Sequence, residues 1–336
     1  MKLSQRIDAL ARLGHAIREI SEDEFNDISL RAKSVNNWFT PESIRLAMEG
    51  CAYMLEREKL NQWTSSYTLE PEESKKVGVV MAGNIPLAGF HDWLSVLLSG
   101  HALRAKLSSQ DNVLPLFFTQ KLLEIEPEFE KQLAFPEMLK GIDAVIATGS
   151  DNTSRYFEYY FRNMPSIIRK NRSSVIVLKG DEKNEELTEM GKDIFTYFGL
   201  GCRNISKMYV PEGYTFDRLY ENLEIYEKVS QHHKYVNNYD YNKSIYLVNK
   251  VPHLDNGFLL IRESEELVSP ISVLFYEKYT DEADLHRKLS RNEDKIQCVV
   301  SAEPAKQNRV EPGKAQTPEP WDYPDGIDTL DFLSKI

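Results

Sequence analysis

Several familiar signatures are missing from this 336-residue chain. It contains neither Gly-x-Gly-x-x-Gly nor a P-loop, which excludes the commonest glycine-rich cradles for dinucleotides and nucleoside triphosphates. Without a Gly-x-Ser-x-Gly elbow, a serine hydrolase has no support. Cysteine is scarce, and Cys51, Cys202 and Cys298 are too dispersed for a disulfide framework or a Cys-rich zinc site. The seven histidines form no His-x-x-x-His pair, so no metal site is expected. No apolar run approaches the roughly 18 residues of a membrane span, and Met1 to Arg6 lacks the apolar stretch of a secretory signal. The expected location is therefore the cytoplasm. Positive charge is also short: a net charge of −11 argues against general binding to nucleic acid or anionic membranes.

What is present fits an ordinary globular protein, with 41% hydrophobic and 28% charged residues. The length exceeds the usual ~100–200 residues of one core, so two domains are expected. Helical spacing runs through residues 1 to about 67, where Thr40-Pro41-Glu42-Ser43 reads as an N-cap with proline at the first helical position. Strands and helices then alternate. Val77 to Met81 reads as a strand, followed by a helix to Leu98; His101 to Leu107 as a strand, followed by a helix from Val113 to Leu123; and Ala144 to Ala147 as a strand entering Thr148-Gly149-Ser150 and a helix from Asp151 to Phe161. Ser174 to Leu178 is a further strand, leading into a helix from Glu185 to Phe198. Strands are also expected at 208–211, 244–248, 258–261, 271–275 and 297–301, with a helix from Asp281 to Arg291 and a turn-rich C-terminal tail. Such alternation implies parallel sheets covered by helices.

Cys202 follows Gly199-Leu200-Gly201, where two glycines allow a sharp turn between a helix and a strand. That setting exposes a thiol, although a cysteine packed as a small hydrophobe is the commoner case. Cys51, in an apolar helix, and Cys298, in an apolar strand, fit the packed reading better. Gly83-Asn84-Ile85-Pro86 joins a strand to a helix, and an Asn-x-Pro turn can serve there with no catalytic role. Tyr235, Tyr239, Tyr241 and Tyr246 either line a pocket or pack against strands, the latter being more usual.

The string Gly199 to Val210 resembles the Gly-x-x-Cys nucleophile loop of the aldehyde dehydrogenase superfamily, and the chain as a whole resembles its acyl-CoA reductase (LuxC-like) branch. The likeness is strongest at 78–88, 147–160, 195–211 and 322–333. It implies an α/β fold of aldehyde dehydrogenase type, with two Rossmann-like three-layer α/β/α domains built on parallel sheets. By residue, it implies Cys202 as nucleophile and Asn84, with the cysteine's backbone N–H, as oxyanion donor. Lys106 would contact the adenosine ribose or its 2′-phosphate, Gly149 and Ser150 would lie near the cofactor phosphates, and Glu266, in Glu265-Glu266-Leu267-Val268-Ser269-Pro270, would hold the nicotinamide ribose. Val268 and Ser269 replace the phenylalanine and glycine usual in that last box. Arg104 beside Lys106 favours NADPH, with NADH as the alternative.

Aldehyde dehydrogenases that hydrolyse their thioester carry a Glu-Leu-Gly-Gly box; here the corresponding place reads Ile168-Arg169-Lys170-Asn171-Arg172-Ser173-Ser174, without a carboxylate. Water activation is then disabled, and coenzyme A is the expected acyl partner. The basic residues Arg169, Lys170 and Arg172 either touch cofactor or coenzyme phosphates or form a solvated surface turn.

The resemblance therefore implies reduction of an acyl-CoA, of fatty type, to an aldehyde through a Cys202 thioester. The alternatives are acylating aldehyde oxidation and a non-reducing acyl-carrying scaffold. Residues 1–178 are expected to form the NAD(P)-binding domain and 179–305 the catalytic domain, while 306–336 is a tail returning to the cofactor domain or to a neighbouring subunit. A homo-oligomer remains open.

Overall fold

A computed structural model describes residues 1–302 and 309–336, and the chain divides into two units, Met1–Asn171 with Glu319–Ile336 and Arg172–Pro318.

The first unit begins with four helices, α1 (Leu3–Arg18), α2 (Glu22–Val35), α3 (Pro41–Met54) and α4 (Arg57–Thr64). Their starts follow the chemistry of caps: Ser21 and Thr40 each accept a hydrogen bond from the backbone N–H three residues on, and Pro41 occupies the first turn of α3. Leu10, Leu13, Phe39 and Ile44 bury the apolar faces of this layer. The chain then alternates through β1 (Lys76–Val80), α5 (Phe90–Ser99), β2 (Ala102–Lys106), α6 (Val113–Ile125), β3 (Leu133–Ala134), β4 (Ala144–Thr148), α7 (Asp151–Tyr160) and β5 (Ser166–Arg169). The strands make one parallel sheet in the order β3-β2-β1-β4-β5. Strand order thus reverses between β1 and β4, and the carboxyl ends of those two strands form the switch point at which such sheets receive ligands.

The C-terminal segment is part of this unit. Glu319 accepts hydrogen bonds from Tyr53 (2.6 Å) and Lys59 (2.7 Å), Trp63 Nε1 donates to Tyr323 Oη (2.8 Å), and Tyr67 donates to Asp328 (2.7 Å). His101 Nε2 donates to the Leu333 carbonyl (2.9 Å) while its Nδ1 accepts from the Lys75 N–H (3.1 Å), which defines its neutral tautomer. The segment ends in the helix Thr329–Ser334, so the tail is not turns alone.

The second unit contains β6 (Ser173–Val177), α8 (Asn184–Phe195), β7 (Ile205–Pro211), α9 (Asp217–Leu223), α10 (His233–Val248), β8 (Leu254–Asp255), β9 (Leu260–Glu263), β10 (Val273–Tyr279), α11 (Glu282–Ser290), β11 (Ile296–Val300) and β12 (Arg309–Val310). Its sheet runs β12-β11-β6-β7-β10-β9-β8, parallel except where β8 meets β9. The unit starts at Arg172 because β6 pairs with β7 and β11 in this sheet. Residues 303–308, which include part of the expected tail, lie outside the described residues.

One expected strand is absent. Ser244 to Val248 ends the helix α10, on which Tyr235, Tyr239, Asn242 and Tyr246 form the buried stripe at helical spacing. Tyr239 and Tyr246 pack with Leu260, Val273 and Phe275, whereas Leu247 and Val248 face solvent. A short apolar run rich in branched residues reads the same in a strand and in the last turn of a helix, and here the tyrosine period decides.

Candidate active site

In the first unit, four residues singled out by sequence collect at the carboxyl ends of adjacent strands. Val80 pairs with Lys106 on one side and with Ala147 on the other, so the turns after β1 and β4 and the end of β2 are neighbours. Asn84 is exposed in the turn after β1, Lys106 is exposed at the end of β2, and Gly149 and Ser150 follow β4. Ser150 caps α7 by accepting from the Thr153 N–H (3.3 Å). Arg104 lies on the same strand as Lys106, but its Nη1 donates to the carbonyls of Leu103 (2.8 Å) and Gln132 (3.4 Å). Lys106 is the more accessible cation of the two.

The turn carrying Asn84 is tightly specified. A Cβ on Gly83 would stand 2.5 Å from Ser108 Oγ, so only glycine fits. Leu87 adopts φ +58°, and its N–H donates to Asp111 Oδ2 at 2.7 Å. Burial drives the Asp111 carboxyl up to about 7, opposed by the N–H groups of Leu87 and Leu114. Asp111 was not evident from sequence; its only trace is an acidic residue just ahead of an apolar helix.

In the second unit, Cys202 is exposed, whereas Cys51 and Cys298 are buried. Burial also pushes the Cys51 thiol well above its ordinary value. The helix expected to reach Phe198 stops at Phe195, because Tyr197, Phe198 and Gly199 take φ values of +52°, +58° and +79°. Two successive non-glycine residues in the left-handed region are strained, at roughly 1–2 kcal/mol each. Packing holds Phe198 there: its ring lies 4.4 Å from that of His232 and 6.2 Å from that of Tyr235. The left-handed turn reverses the chain between α8 and β7 and leaves Cys202 at the surface.

Asn204 anchors this turn. Its side-chain amide, 2% exposed, donates to the carbonyls of Thr196 (2.9 Å), Asp193 (3.0 Å) and Ile194 (3.4 Å). Its Oδ1 accepts from the Gly201 N–H at 2.8 Å, and Ser174 Oγ donates to the Cys202 carbonyl at 3.0 Å. One asparagine thus closes the frayed end of α8 and pins the residue before the thiol.

Glu266 lies exposed in the segment after β9. Lys207 Nζ donates to the Glu265 carbonyl at 2.9 Å, and Ser206 Oγ donates to the Leu267 carbonyl at 2.7 Å. Lys207 also forms an ion pair with Glu277, and its side chain is fully buried. Desolvation lowers its pKa, opposed by the Glu277 carboxylate. The signal for Lys207 was present in the sequence: a lysine inside the apolar strand Ile205 to Val210 must be paired if that strand is buried.

The basic residues 169–172 divide between interior and surface. Arg169 ends β5 with 3% exposure, bonded to Asp92 and, through Nη2, to Thr329 Oγ1 (2.8 Å). Lys170 pairs with Glu158 at the surface (3.0 Å), and Arg172 Nη1 donates to the Ile296 carbonyl (3.2 Å). Among the described residues no group of His, Cys, Asp and Glu is arranged to hold a metal, and no helix is long and apolar enough to cross a membrane.

The two sheets, each carrying surface residues of this kind, define an α/β protein of the aldehyde dehydrogenase fold. The NAD+ complex of an aldehyde dehydrogenase from Bacillus cereus matches 90% of this chain and 72% of its own, with a TM-score of 0.60 at 13% identity. An NAD-dependent benzaldehyde dehydrogenase from Corynebacterium glutamicum matches 90% and 76%, with a TM-score of 0.64 at 11% identity. The gamma-glutamyl-gamma-aminobutyraldehyde dehydrogenase of Burkholderia cenocepacia matches 90% and 72%, with a TM-score of 0.61 at 14% identity. At these identities the likeness speaks for the fold alone. A family model described as acyl-CoA reductase (LuxC) matches residues 10–224, and the chain belongs to that family. It is accordingly an oxidoreductase acting on acyl or aldehyde groups. A search of the curated proteins finds no match.

Proposed function

We propose that the protein reduces an acyl-CoA to the aldehyde with a reduced nicotinamide cofactor, through a thioester on Cys202. The observation that carries this reading is the exposed Cys202 thiol on a strained, side-chain-anchored turn, while the other two cysteines are buried.

Cys202 as thiolate attacks the acyl carbonyl, and a carbon–sulfur bond forms as negative charge moves to the carbonyl oxygen. Asn84 and the Cys202 N–H are the donors assigned to that oxyanion. Collapse breaks the bond to coenzyme A, whose thiolate leaves, and the acyl group stays on Cys202. When bound, the reduced nicotinamide supplies the hydride that turns this thioester into the aldehyde. Cys202 then departs as thiolate.

The donor set at the first sheet's switch point fits an anionic dinucleotide. Lys106 offers an exposed ammonium at one strand end, and the N-terminus of α7 follows Gly149 and Ser150 at the next, where a helix dipole favours a phosphate. Lys106 is assigned to the adenosine ribose or its 2′-phosphate, with NADPH as the cofactor and NADH as the alternative, and Glu266 is assigned to the nicotinamide ribose. The carboxylates brought to the 168–174 segment, Asp92 and Glu158, are each paired with a cation, Asp92 in a buried bond. This supports transfer to and from coenzyme A over hydrolysis.

The test is loss of absorbance at the reduced-nicotinamide band with NADPH or NADH and acyl-CoAs of graded chain length, beside Cys202→Ala. Cofactor oxidation with aldehyde formation, abolished in the variant, supports the reading. A labelled acyl group trapped on Cys202 without any turnover would replace it with an acyl-carrying role.

A further inference from the structure

The segment between β9 and β10 returns over nine residues without a helix, from Glu263 to Val273 at the start of the next parallel strand. Its path is defined by two carbonyls. That of Glu265 accepts from Lys207 Nζ (2.9 Å), and that of Leu267 accepts from Ser206 Oγ (2.7 Å). The segment therefore runs against the direction of β7, from Lys207 toward Ser206 and so toward the end of β7 that carries Cys202. Glu266 sits between the two anchors.

Adjacent residues of a regular strand point to opposite faces and cannot both reach one segment. Here the pairing of β6 with β7 slips by one residue: Ser174 is opposite Ile205, and Val175 is opposite Lys207. Ser206 is the extra residue at this register shift, an irregularity that lets its side chain and that of Lys207 reach the same segment. Both anchors are themselves held. Ser206 Oγ lies 2.6 Å from Ser173 Oγ, and Lys207 is paired with Glu277, which Lys288 (3.6 Å) and Arg291 (3.4 Å) also approach. Leu267 is buried in the core with Val175 and Tyr209, so the segment is fixed on one side and exposed at Glu266 on the other. A fully buried lysine is expensive in a strand unless it is paired, and one of its partners is the backbone of this functional segment.

We propose that Ser206 and Lys207 are positioning residues that hold the Glu265–Leu267 segment in register for the nicotinamide cofactor, tying the cofactor's contact to the strand that bears the nucleophile. This rests on the reading of that segment as a cofactor contact.

Steady-state kinetics and thermal melts of the full-length Ser206→Ala, Ser206→Thr, Lys207→Met and Glu266→Ala proteins test it, together with the rate of Cys202 alkylation by iodoacetamide. Ser206→Ala and Lys207→Met are expected to raise the KM for reduced nicotinamide about tenfold while kcat at saturating cofactor stays within about twofold. Cys202 alkylation should be unchanged, and Ser206→Thr, which keeps the hydroxyl, should recover the parent KM. If Lys207→Met does not fold, the Ser206 pair decides alone. A Ser206→Ala protein whose cofactor KM matches the parent's, while Glu266→Ala raises it, overturns the positioning role and leaves the Glu266 reading standing. A raised KM in Ser206→Ala with none in Glu266→Ala supports the positioning role and removes Glu266 as the contact. No change in any variant overturns both.

Discussion

Replacing Asn204 by alanine probes the tie between the nucleophile's turn and the helix before it. The substitution removes two amide hydrogens shared among the carbonyls of Asp193, Ile194 and Thr196, and the acceptor of the Gly201 N–H. The asparagine is 2% exposed, so water cannot freely take its place. With two to three polar groups left short of a partner, some of them partly solvated, the expected loss is about 2–4 kcal/mol. For a unit of this size that lowers Tm by roughly 5–15 °C. A second effect is separable from the first. Well below the melt, the strained turn at Tyr197 and Phe198 loses one of its restraints, and a displacement of about 1 Å at a reacting group lowers rate by up to about a hundredfold. Differential scanning calorimetry measures the first effect, and acyl-CoA turnover at 25 °C the second. Alkylation with iodoacetamide adds a local readout, because Cys51 and Cys298 are buried. An Asn204→Ala protein that melts within about 2 °C of the parent and alkylates and turns over at the parental rate would refute the reasoning.

Other perturbations test other parts of the fold. Arg169→Met should destabilise by about 3–5 kcal/mol by leaving Asp92 buried and uncompensated, and Asp92→Leu in the same protein should restore much of that loss in a urea melt. Asp111→Asn separates a buried carboxyl from its charge. Its folded pKa, raised from 3.8 to about 7, means that the stability contributed by this carboxyl is fully present below the ordinary carboxyl range and is lost as pH rises through about 7. The variant's Tm advantage should therefore grow across that interval and level off above it; a constant difference from acid to alkaline pH would contradict a buried, raised Asp111. Gly83→Ala should slow turnover and lower Tm together, since its Cβ would collide with Ser108, and Ser108→Gly in the same chain should recover part of both.

Much of the architecture was legible because it rests on local chemistry. Apolar runs such as Val77–Met81 and Ala144–Ala147, separated by helix-length amphipathic stretches, can only become parallel strands with crossovers. Thr40-Pro41 reads as the start of α3 because capping needs nothing beyond four consecutive residues. The Cys202 turn was legible in part. The flanking glycines announced a reversal, but the left-handed Tyr197 and Phe198 were hidden, since the Phe198 ring packs against His232 and Tyr235, more than thirty residues on in the chain. The strand misread at 244–248 failed for a related reason: burial on α10 follows tyrosines spread over the whole helix, and the terminal apolar run is mostly exposed.

Sequence by itself determined the alternating α/β order, the family resemblance and the identity of the exposed cysteine's turn, because each depends on residues close together in the chain. Tertiary structure decided which partners the polar residues meet. Arg169 is an internal ion partner because Asp92 and Thr329 meet it there, Asp111 is a clamp because Leu87 folds back onto it, and Lys207 is buried because Glu277 pairs with its charge and the Glu265 carbonyl accepts its hydrogen bond. A charged or amide side chain can be solvated, paired or load a turn with equal local plausibility. Which of these it does is set by desolvation and by partners tens of residues away, brought into place when the two sheets form.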